Sequence, residues 1–406
     1  MLKKSLLIIS LAVGASLAVG GLLAPTAALA EQAKVGKKVG EPLAAALEAG
    51  KKGQYPQALA KLKEADAVSG KTAFEQFQIN ETYGFVYLKQ RNYTAAAAAY
   101  ERSLNSGQLP GGQVNDRLKQ LAQLNFQSPR NLNKVIDYSN QYLKAIGGKD
   151  AAMQAMLGQA YQLNGNDKAA VAAVQNAVRQ TGRPEENWLR ILLKSYGALG
   201  DAKGVSDTTQ TLVKLYPTPE NWRLLSSELR KQASGDDRTA LNVYRLMGAL
   251  DLMDKPDICT EAAIVAIQSR LPAEAVKFME QGYTRKVFSP ADEARTQRIL
   301  ADARTKAAAQ QLTLGKLTQT ASASKAGQDE VLLGEVLLSY GQVDQALAAG
   351  KRAIQKGANP DDAWMLVGRS QIQLKNGAEA TKAFNQVKGA GAAPIAKLWG
   401  IYASRS

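Results

Sequence analysis

Small and aromatic residues recur at fixed positions along the chain, and their spacing predicts pairs of helices. One stretch carries Gly158 and Tyr161, a polar turn over 164–166, and then Ala170 and Val174. A small residue midway along the first helix lets the second helix approach closely, and larger residues fill the space beside it. Asn and Gly tolerate the left-handed backbone that ends a helix, so the turn separates two antiparallel helices.

The same pattern returns at a period of 34 residues. Trp188 and Trp222 stand 34 positions apart in similar local sequences, and Gly334 and Gly368 repeat that interval. One helical hairpin cannot bury its apolar face alone, whereas stacked hairpins can. A terminal helix from Pro394 to about residue 403 caps the last unit. The ten predicted units are 39–72, 77–110, 117–150, 151–184, 185–218, 219–252, 256–289, 290–323, 327–360 and 361–394.

The last unit resembles the tetratricopeptide repeat. It carries Trp364 and Gly368 in its first helix, Ala380 and Phe384 in its second, and then Pro394, which is similar to the family's W-x2-L-G…A-x3-F…P pattern. The resemblance is strong over 77–110, 151–184 and 327–394, moderate over 39–72 and 185–252, and weak over 117–150 and 256–323. It implies an all-α fold, a right-handed α-solenoid of antiparallel helix pairs.

The weak stretch suggests how the chain is divided. We expect a signal peptide over 1–30, an N-terminal solenoid over 31–252, degenerate helical repeats or a connector over 253–326, and C-terminal repeats with a capping helix over 327–406. A break in the stack within the third range would split the solenoid into two lobes.

The first thirty residues have the organisation of a secretory signal. Lys3 and Lys4 precede an almost wholly apolar run over 5–24, and the small residues around Ala30 form a cleavage site. This pattern predicts export to the periplasm with cleavage after Ala30. The alternative is an uncleaved anchor, because the apolar run approaches the length that spans a bilayer.

Composition argues against catalysis. The chain has no histidine and a single cysteine, Cys259. Without histidine the commonest general base and the commonest metal ligand are both missing. We therefore expect no catalytic residues, no metal site, no cofactor and no enzyme activity. Cys259 is expected to be a buried thiol, and Trp188, Trp222 and Trp364 are expected in the core, whereas Trp399 of the capping helix is expected to be partly exposed.

The formal net charge of +15 favours an acidic protein or an anionic surface, such as phospholipid headgroups or a wall polymer, as a partner. Nucleic acid is not expected, because the cations are spread among acidic residues and form no dense run interleaved with aromatics.

The family resemblance also implies a binding surface. In such repeats, positions 2, 5, 9 and 12 of the first helices line a concave groove. A groove of this kind holds an extended peptide, including an acidic one, through amide and guanidinium groups. The positions in this sequence include Gln159, Gln162, Leu193, Tyr196, Arg223, Ser227, Arg230, Glu335 and Arg369.

These features predict a non-catalytic periplasmic scaffold or adaptor that holds a protein or peptide, with a membrane-associated envelope complex as its setting. In layout the chain is similar to exported repeat proteins that are accessory to TonB-type energy transduction. The alternative is a glycan- or cell-wall-binding component of polysaccharide export or envelope assembly. A glycan groove needs exposed aromatic rings, and only 6% of the residues are aromatic.

Overall fold

The computed structural model describes residues 35–127, 129–233 and 235–405. The predicted signal peptide and its cleavage site lie outside this part of the chain. Within it, the secondary structure consists of twenty-one α-helices joined by short turns. The described residues fall into two compact units that divide between Pro184 and Glu185.

The helices of the first unit form four consecutive pairs. In each pair we call the first helix A and the second helix B. The pairs are α1 (Lys37–Lys51) with α2 (Tyr55–Asp66), α3 (Ala73–Lys89) with α4 (Tyr93–Asn105), α5 (Gly111–Phe126) with α6 (Leu132–Ala145), and α7 (Ala151–Leu163) with α8 (Asp167–Thr181).

The second unit continues the same order and ends in a single helix. Its helices are α9 (Glu186–Ala198), α10 (Ala202–Leu215), α11 (Pro219–Gln232), α12 (Asp237–Ala249), α13 (Pro256–Gln268), α14 (Pro272–Thr284), α15 (Glu293–Leu312), α16 (Leu314–Ala323), α17 (Gly327–Ser339), α18 (Val343–Gln355), α19 (Pro360–Gln373), α20 (Gly377–Phe384) and α21 (Ala393–Ala403). The predicted all-α fold of consecutively packed helix pairs is confirmed. Outside 290–323 each predicted unit overlaps one helix pair, although α3 and α5 begin before residues 77 and 117.

Glycine in helix A sets the distance between the two helices of a pair. A Cβ atom added to Gly158 would lie 2.4 Å from Cγ2 of Val174 and 3.1 Å from the carbonyl oxygen of Ala170. The same addition at Gly368 would meet the Phe384 ring at 2.4 Å. Such contacts are far inside van der Waals range, so a larger residue at either position would push helix B away.

Local sequence fixes where the helices begin and end. The Asn166 side chain caps α8 by accepting a hydrogen bond from the backbone N–H of Ala169. Thr72 and Glu75 form a reciprocal capping box at the start of α3. Both arrangements satisfy backbone N–H groups that lack partners in the first turn of a helix.

The pair α15 and α16 differs from the others. α15 is the longest helix, with 20 residues, and only Thr313 separates it from α16. The two helices therefore do not form a compact hairpin. α15 contributes Leu300 and Ala303 to a core shared with α11–α14, whereas Ala321 of α16 packs with α17.

The C-terminal helices of the second unit fold back onto its earlier helices. Arg238 of α12 donates a 2.8 Å hydrogen bond to Asp362 of α19, and the hydroxyl of Tyr402 on α21 bonds the carbonyl of Ala249 at 3.3 Å. One apolar cluster includes Val213 as well as Trp399. Helices far apart in sequence thus share one core in this unit.

Three of the four predicted core residues, Trp188, Trp222 and Cys259, have the expected burial. Trp188 and Trp222 are each 4% exposed, and Cys259 is fully buried. Trp364 is half-buried against the core of the second unit. The expectation that Trp399 is partly exposed was wrong. Its ring is 4% exposed because it stacks against Phe384 at 5.9 Å between ring centres.

No helix in the described part of the chain has both the length and the apolar character needed to cross a membrane.

Candidate functional site

The predicted groove residues are distributed over both units. Gln159 and Gln162 lie on α7 in the first unit, and both side chains are half-buried. Tyr196, Arg223, Ser227, Arg230 and Arg369 lie in the second unit. Their assignment to a ligand groove stays a prediction, and their surroundings differ from one residue to the next.

Tyr196 faces its own helix pair. A Cβ atom added to Gly204 of α10 would lie 2.5 Å from Cδ1 of the Tyr196 ring. The ring therefore covers Gly204 and fills the gap between α9 and α10. In this position the side chain supports the hairpin, and only part of it is accessible.

Arg223 and Arg230 of α11 each pair with acidic residues next to or on α13. The guanidinium of Arg223 donates a 2.7 Å hydrogen bond to Asp254. Arg230 donates a 2.7 Å hydrogen bond to Glu261 and lies 3.5 Å from Asp257. Nothing local in the sequence indicates these pairs, because the partners lie one repeat further along the chain.

A similar network joins α9 to α11. Arg190 donates hydrogen bonds to Glu186 at 2.9 Å and to the side-chain oxygen of Asn221 at 3.1 Å. It also lies 3.4 Å from Glu220. Side-chain pairs therefore link α9 to α11 and α11 to α13, and Arg223 and Arg230 are predicted groove residues that take part in them.

Between these pairs lies an open surface. Ser227 is exposed on α11 between Arg223 and Arg230, and Ile264 of α13 is 37% exposed one turn beyond Glu261. Since large apolar side chains are usually buried, Ile264 is one of few such residues with this exposure. We call this surface the A-helix face. It consists of Arg223, Ser227, Arg230, Glu261 and Ile264.

Arg369 lies in a buried charge cluster and not on an open surface. Its side chain is 7% exposed and donates a hydrogen bond to Glu335 of α17. Glu335 also accepts a 2.8 Å hydrogen bond from Arg245 of α12, which in turn bonds Glu274 of α14 through two contacts of 2.7 Å. Two arginines and two glutamates from four helices thus balance their charges. A ligand would have to separate these helices to reach Arg369.

The charges of the cluster shift the pKa values of Glu335, Arg245 and Arg369. Burial alone would raise the pKa of Glu335, but the charges of Arg245 and Arg369 lower it below its usual value. Burial disfavours the charged form of Arg245, yet Glu274 and Glu335 raise its pKa above the ordinary value. Burial and then the like charge of Arg245 lower the pKa of Arg369. The charges compensate one another only while the four helices stay packed.

A shallow open depression of about 480 Å³ lies between α14 and α15, lined by Glu280, Tyr283, Thr284, Gln297, Leu300 and Arg304. Arg304 and Glu280 pair across it at 3.0 Å. Its lining contains no side chain placed to activate a nucleophile, since the charges form a simple ion pair at an exposed position.

No protein-family model and no curated protein sequence matches the chain. Among solved structures, the chain is similar to the MamA protein, with 16% identity over 43% of this chain and 94% of that one, at a TM-score of 0.34.

It is also similar to the TPR2AB domain of yeast Sti1 in a complex with pHSP90, with 16% identity over 73% of this chain and all of that one, at a TM-score of 0.26. A tetratricopeptide repeat protein from Parabacteroides merdae shares 10% identity over 73% of this chain and 99% of that one, at a TM-score of 0.35. Sequence identities and TM-scores this low support no conclusion about function.

Proposed function

We propose that the chain is an exported, non-catalytic scaffold whose A-helix face binds an extended segment of another protein. The observation that carries this proposal is the open strip on α11 and α13, where Ser227 is exposed between Arg223 and Arg230 and Ile264 is exposed one turn beyond Glu261. Because the ion pairs hold their side chains in place, little conformational entropy is lost when a partner docks beside them.

The charges of the face favour a partner of mixed charge. Arg223 and Arg230 already face Asp254, Asp257 and Glu261, so the face presents both signs side by side. An acidic segment would be attracted by the guanidinium groups and repelled by the carboxylates one helix away. A partner segment with an apolar residue for Ile264 and flanking polar groups fits the surface better.

A glycan-binding role has less support. Sugars are held by exposed aromatic rings, and Trp188, Trp222 and Trp399 are each only 4% exposed. The tryptophans of the second unit other than Trp364 thus offer no stacking surface.

Affinity capture with a matched pair of variants tests the A-helix face. Immobilised wild-type protein is expected to retain a specific partner from envelope extract, and Ser227→Trp is expected to lose it, because the indole would cover the strip. Ser322→Trp adds the same side chain at an exposed position of α16 outside the face and should retain the partner. Equal capture by both variants would contradict the assignment.

Recovery of the proton-channel proteins of a TonB-type complex would identify energy transduction as the setting.

Export is tested separately. If residues 1–30 direct secretion, the protein recovered from the periplasm begins at Glu31, which N-terminal sequencing would reveal. Recovery in the membrane fraction with Met1 or Leu2 at the N-terminus would instead support the anchor.

A further inference from the structure

The turn between helix A and helix B carries a cation with positive φ in the second pair. Each such turn in the first and fourth pairs has a glycine with positive φ, Gly53 at 75° and Gly165 at 80°. In the second pair the equivalent residue is Arg91, with φ of 59°. A residue with a Cβ atom is strained in this region. Glycine would serve the backbone of this turn at least as well. The A-to-B turns at Arg270 and Lys375 in the second unit share the feature, with φ of 64° and 61°, so Arg91 points to a role at this surface only together with the cations around it.

The four A-to-B turns of the first unit follow one another along a single edge. Glu81 of α3 accepts hydrogen bonds of 2.6 and 2.8 Å from Arg117 of α5, which joins two A helices. Glu101 of α4 pairs with Lys134 of α6 at 2.5 Å, which joins two B helices. Successive pairs thus stack in the same order, A beside A and B beside B, so their turns share one side of the unit.

Exposed cations accumulate at this edge. Every A-to-B turn of the unit contributes at least one of them, and acidic residues are few there, namely Glu48 and Asp167. Glu48 is paired with Lys52 at 3.2 Å. We call this surface the turn edge. Its exposed cations are Lys51, Lys52, Lys89, Arg91, Arg130 and Lys168.

Half-buried aromatic rings lie beside these cations. Tyr55 and Tyr93 begin the B helices that follow the first two turns, and Phe126 ends α5 before the third. The guanidinium of Arg130 lies 5.2 Å from the centre of the Phe126 ring. Aromatic rings next to lysine and arginine are typical of surfaces that rest at the headgroup level of a bilayer, where the cations meet anionic lipids.

We propose that the turn edge of the first unit docks on a bilayer surface rich in anionic phospholipid. The contact is peripheral: phosphate groups pair with the cations of the turns, and the adjacent rings lie at the interface. This interaction is separate from the protein-binding role of the A-helix face, because it uses different residues in a different unit. It would hold the scaffold against a membrane while the second unit binds its partner.

Arg91 has one competing explanation, which can be tested. A cation near the end of a helix interacts favourably with the exposed carbonyl groups there. If that were its role, Arg91→Gly would lower the thermal midpoint. If Arg91 serves lipid binding at the expense of backbone strain, the same change raises the midpoint, or leaves it unaltered, and weakens vesicle binding severalfold.

The main experiment compares two variants with the same change in charge. Lys51→Glu with Arg91→Glu alters the turn edge, and Lys63→Glu with Lys149→Glu alters exposed cations at the ends of other helices in the same unit. Each protein is purified without truncation, in the form that accumulates in cells. All variants therefore have the same N-terminus. Binding is measured by co-sedimentation with vesicles of phosphatidylcholine containing about 30% phosphatidylglycerol and with pure phosphatidylcholine, while circular dichroism verifies folding.

The wild type is expected to prefer the anionic vesicles, and added salt should weaken its binding. The turn-edge variant should bind the anionic vesicles at least tenfold more weakly, whereas the control variant should stay within about twofold of wild type. The difference is expected because only cations close to the membrane surface contribute to binding. Equal losses in both variants would show a general charge effect and overturn the proposal. Equal binding of the wild type to both vesicle types would overturn it too, as would binding of a soluble wall polymer without any binding of vesicles.

Discussion

Arg245 donates a 2.8 Å hydrogen bond to Glu335, although ninety residues separate the two positions in the chain. The contact joins α12 to α17, and through Arg369 and Glu274 it reaches α19 and α14. This small group of charges lies where the C-terminal helices fold back on the middle of the second unit. These charges can pair only while the C-terminal helices stay packed against the middle of the unit.

Glu335→Gln should destabilise the second unit by about 3 kcal/mol, because it leaves two buried arginines with one carboxylate. Urea unfolding followed by circular dichroism measures the change. Glu280→Gln is the matched control, since it removes a carboxylate from the exposed pair with Arg304, where the expected effect is below about 1 kcal/mol. Similar midpoints for the two variants would mean that the buried cluster adds little.

Gly158→Ala and Gly112→Ala should change stability in opposite directions. The added methyl group at Gly158 would meet Val174 at 2.4 Å and cost about 1–3 kcal/mol. Gly112 has no neighbouring atom within 4 Å, and alanine there should stabilise α5 by up to about 1 kcal/mol. Thermal unfolding of both variants decides the matter, and a stabilised Gly158→Ala variant would refute the predicted close approach of α7 and α8.

Cys259 should react slowly with thiol reagents while the protein is folded. Burial, followed by the charges of Asp254 and Asp257, raises the pKa of its thiol from 9.0 to about 11. The neutral thiol is therefore favoured in the folded state. The contribution of this thiol to the free energy of unfolding is present below pH 9 and is lost as the pH rises towards 11. Labelling with a disulfide reagent at pH 8, with and without urea, tests this. Because the chain has one cysteine, rapid labelling without urea would contradict the buried position.

Asp150 should contribute to the loss of stability in acid. Burial would raise the pKa of its carboxyl, but hydrogen bonds from Lys119 and from the backbone N–H of Met153 lower it below the usual 3.8. Its stabilising effect is therefore present above about pH 4 and is lost as the pH falls through the depressed value. Asp150→Asn should flatten the acid side of the stability profile relative to Asp116→Asn, a change at an exposed position of α5. Parallel profiles would speak against a role for Asp150.

Arg230→Glu should destabilise the second unit by about 1 kcal/mol, since it places a carboxylate against Glu261 and Asp257. The charge-swapped double variant Arg230→Glu with Glu261→Arg should recover part of that loss. A double variant no more stable than the single one would show that the pair does not couple α11 to α13. The single variant is therefore a poor probe of partner binding on its own.

Much of the architecture was predictable from local sequence. Gly158 and Gly368 marked the close approach within helix pairs, and the polar turns and the 34-residue period located the pairs outside 290–323. These features are local, because a hairpin depends on residues within one repeat. Trp188, Trp222 and Cys259 were also placed correctly in the core, since large residues at repeat positions face neighbouring helices.

The binding surface was less predictable. Arg223 and Arg230 look like free cations in the sequence, and Arg369 looks like a groove residue. Their partners lie one repeat or several helices away, and pairing depends on which faces meet in space. Trp399 was expected at a partly exposed end, but the fold-back of α21 covers it.

Local sequence therefore specifies the helices and their order, because turns, caps and small residues act within a few positions of the chain. Which charges are neutralised and which stay exposed depends on how helices that are distant in sequence pack together. Arg245 and Glu335 illustrate the difference, since nothing local links them, and their attraction becomes strong only where packing has removed water from both.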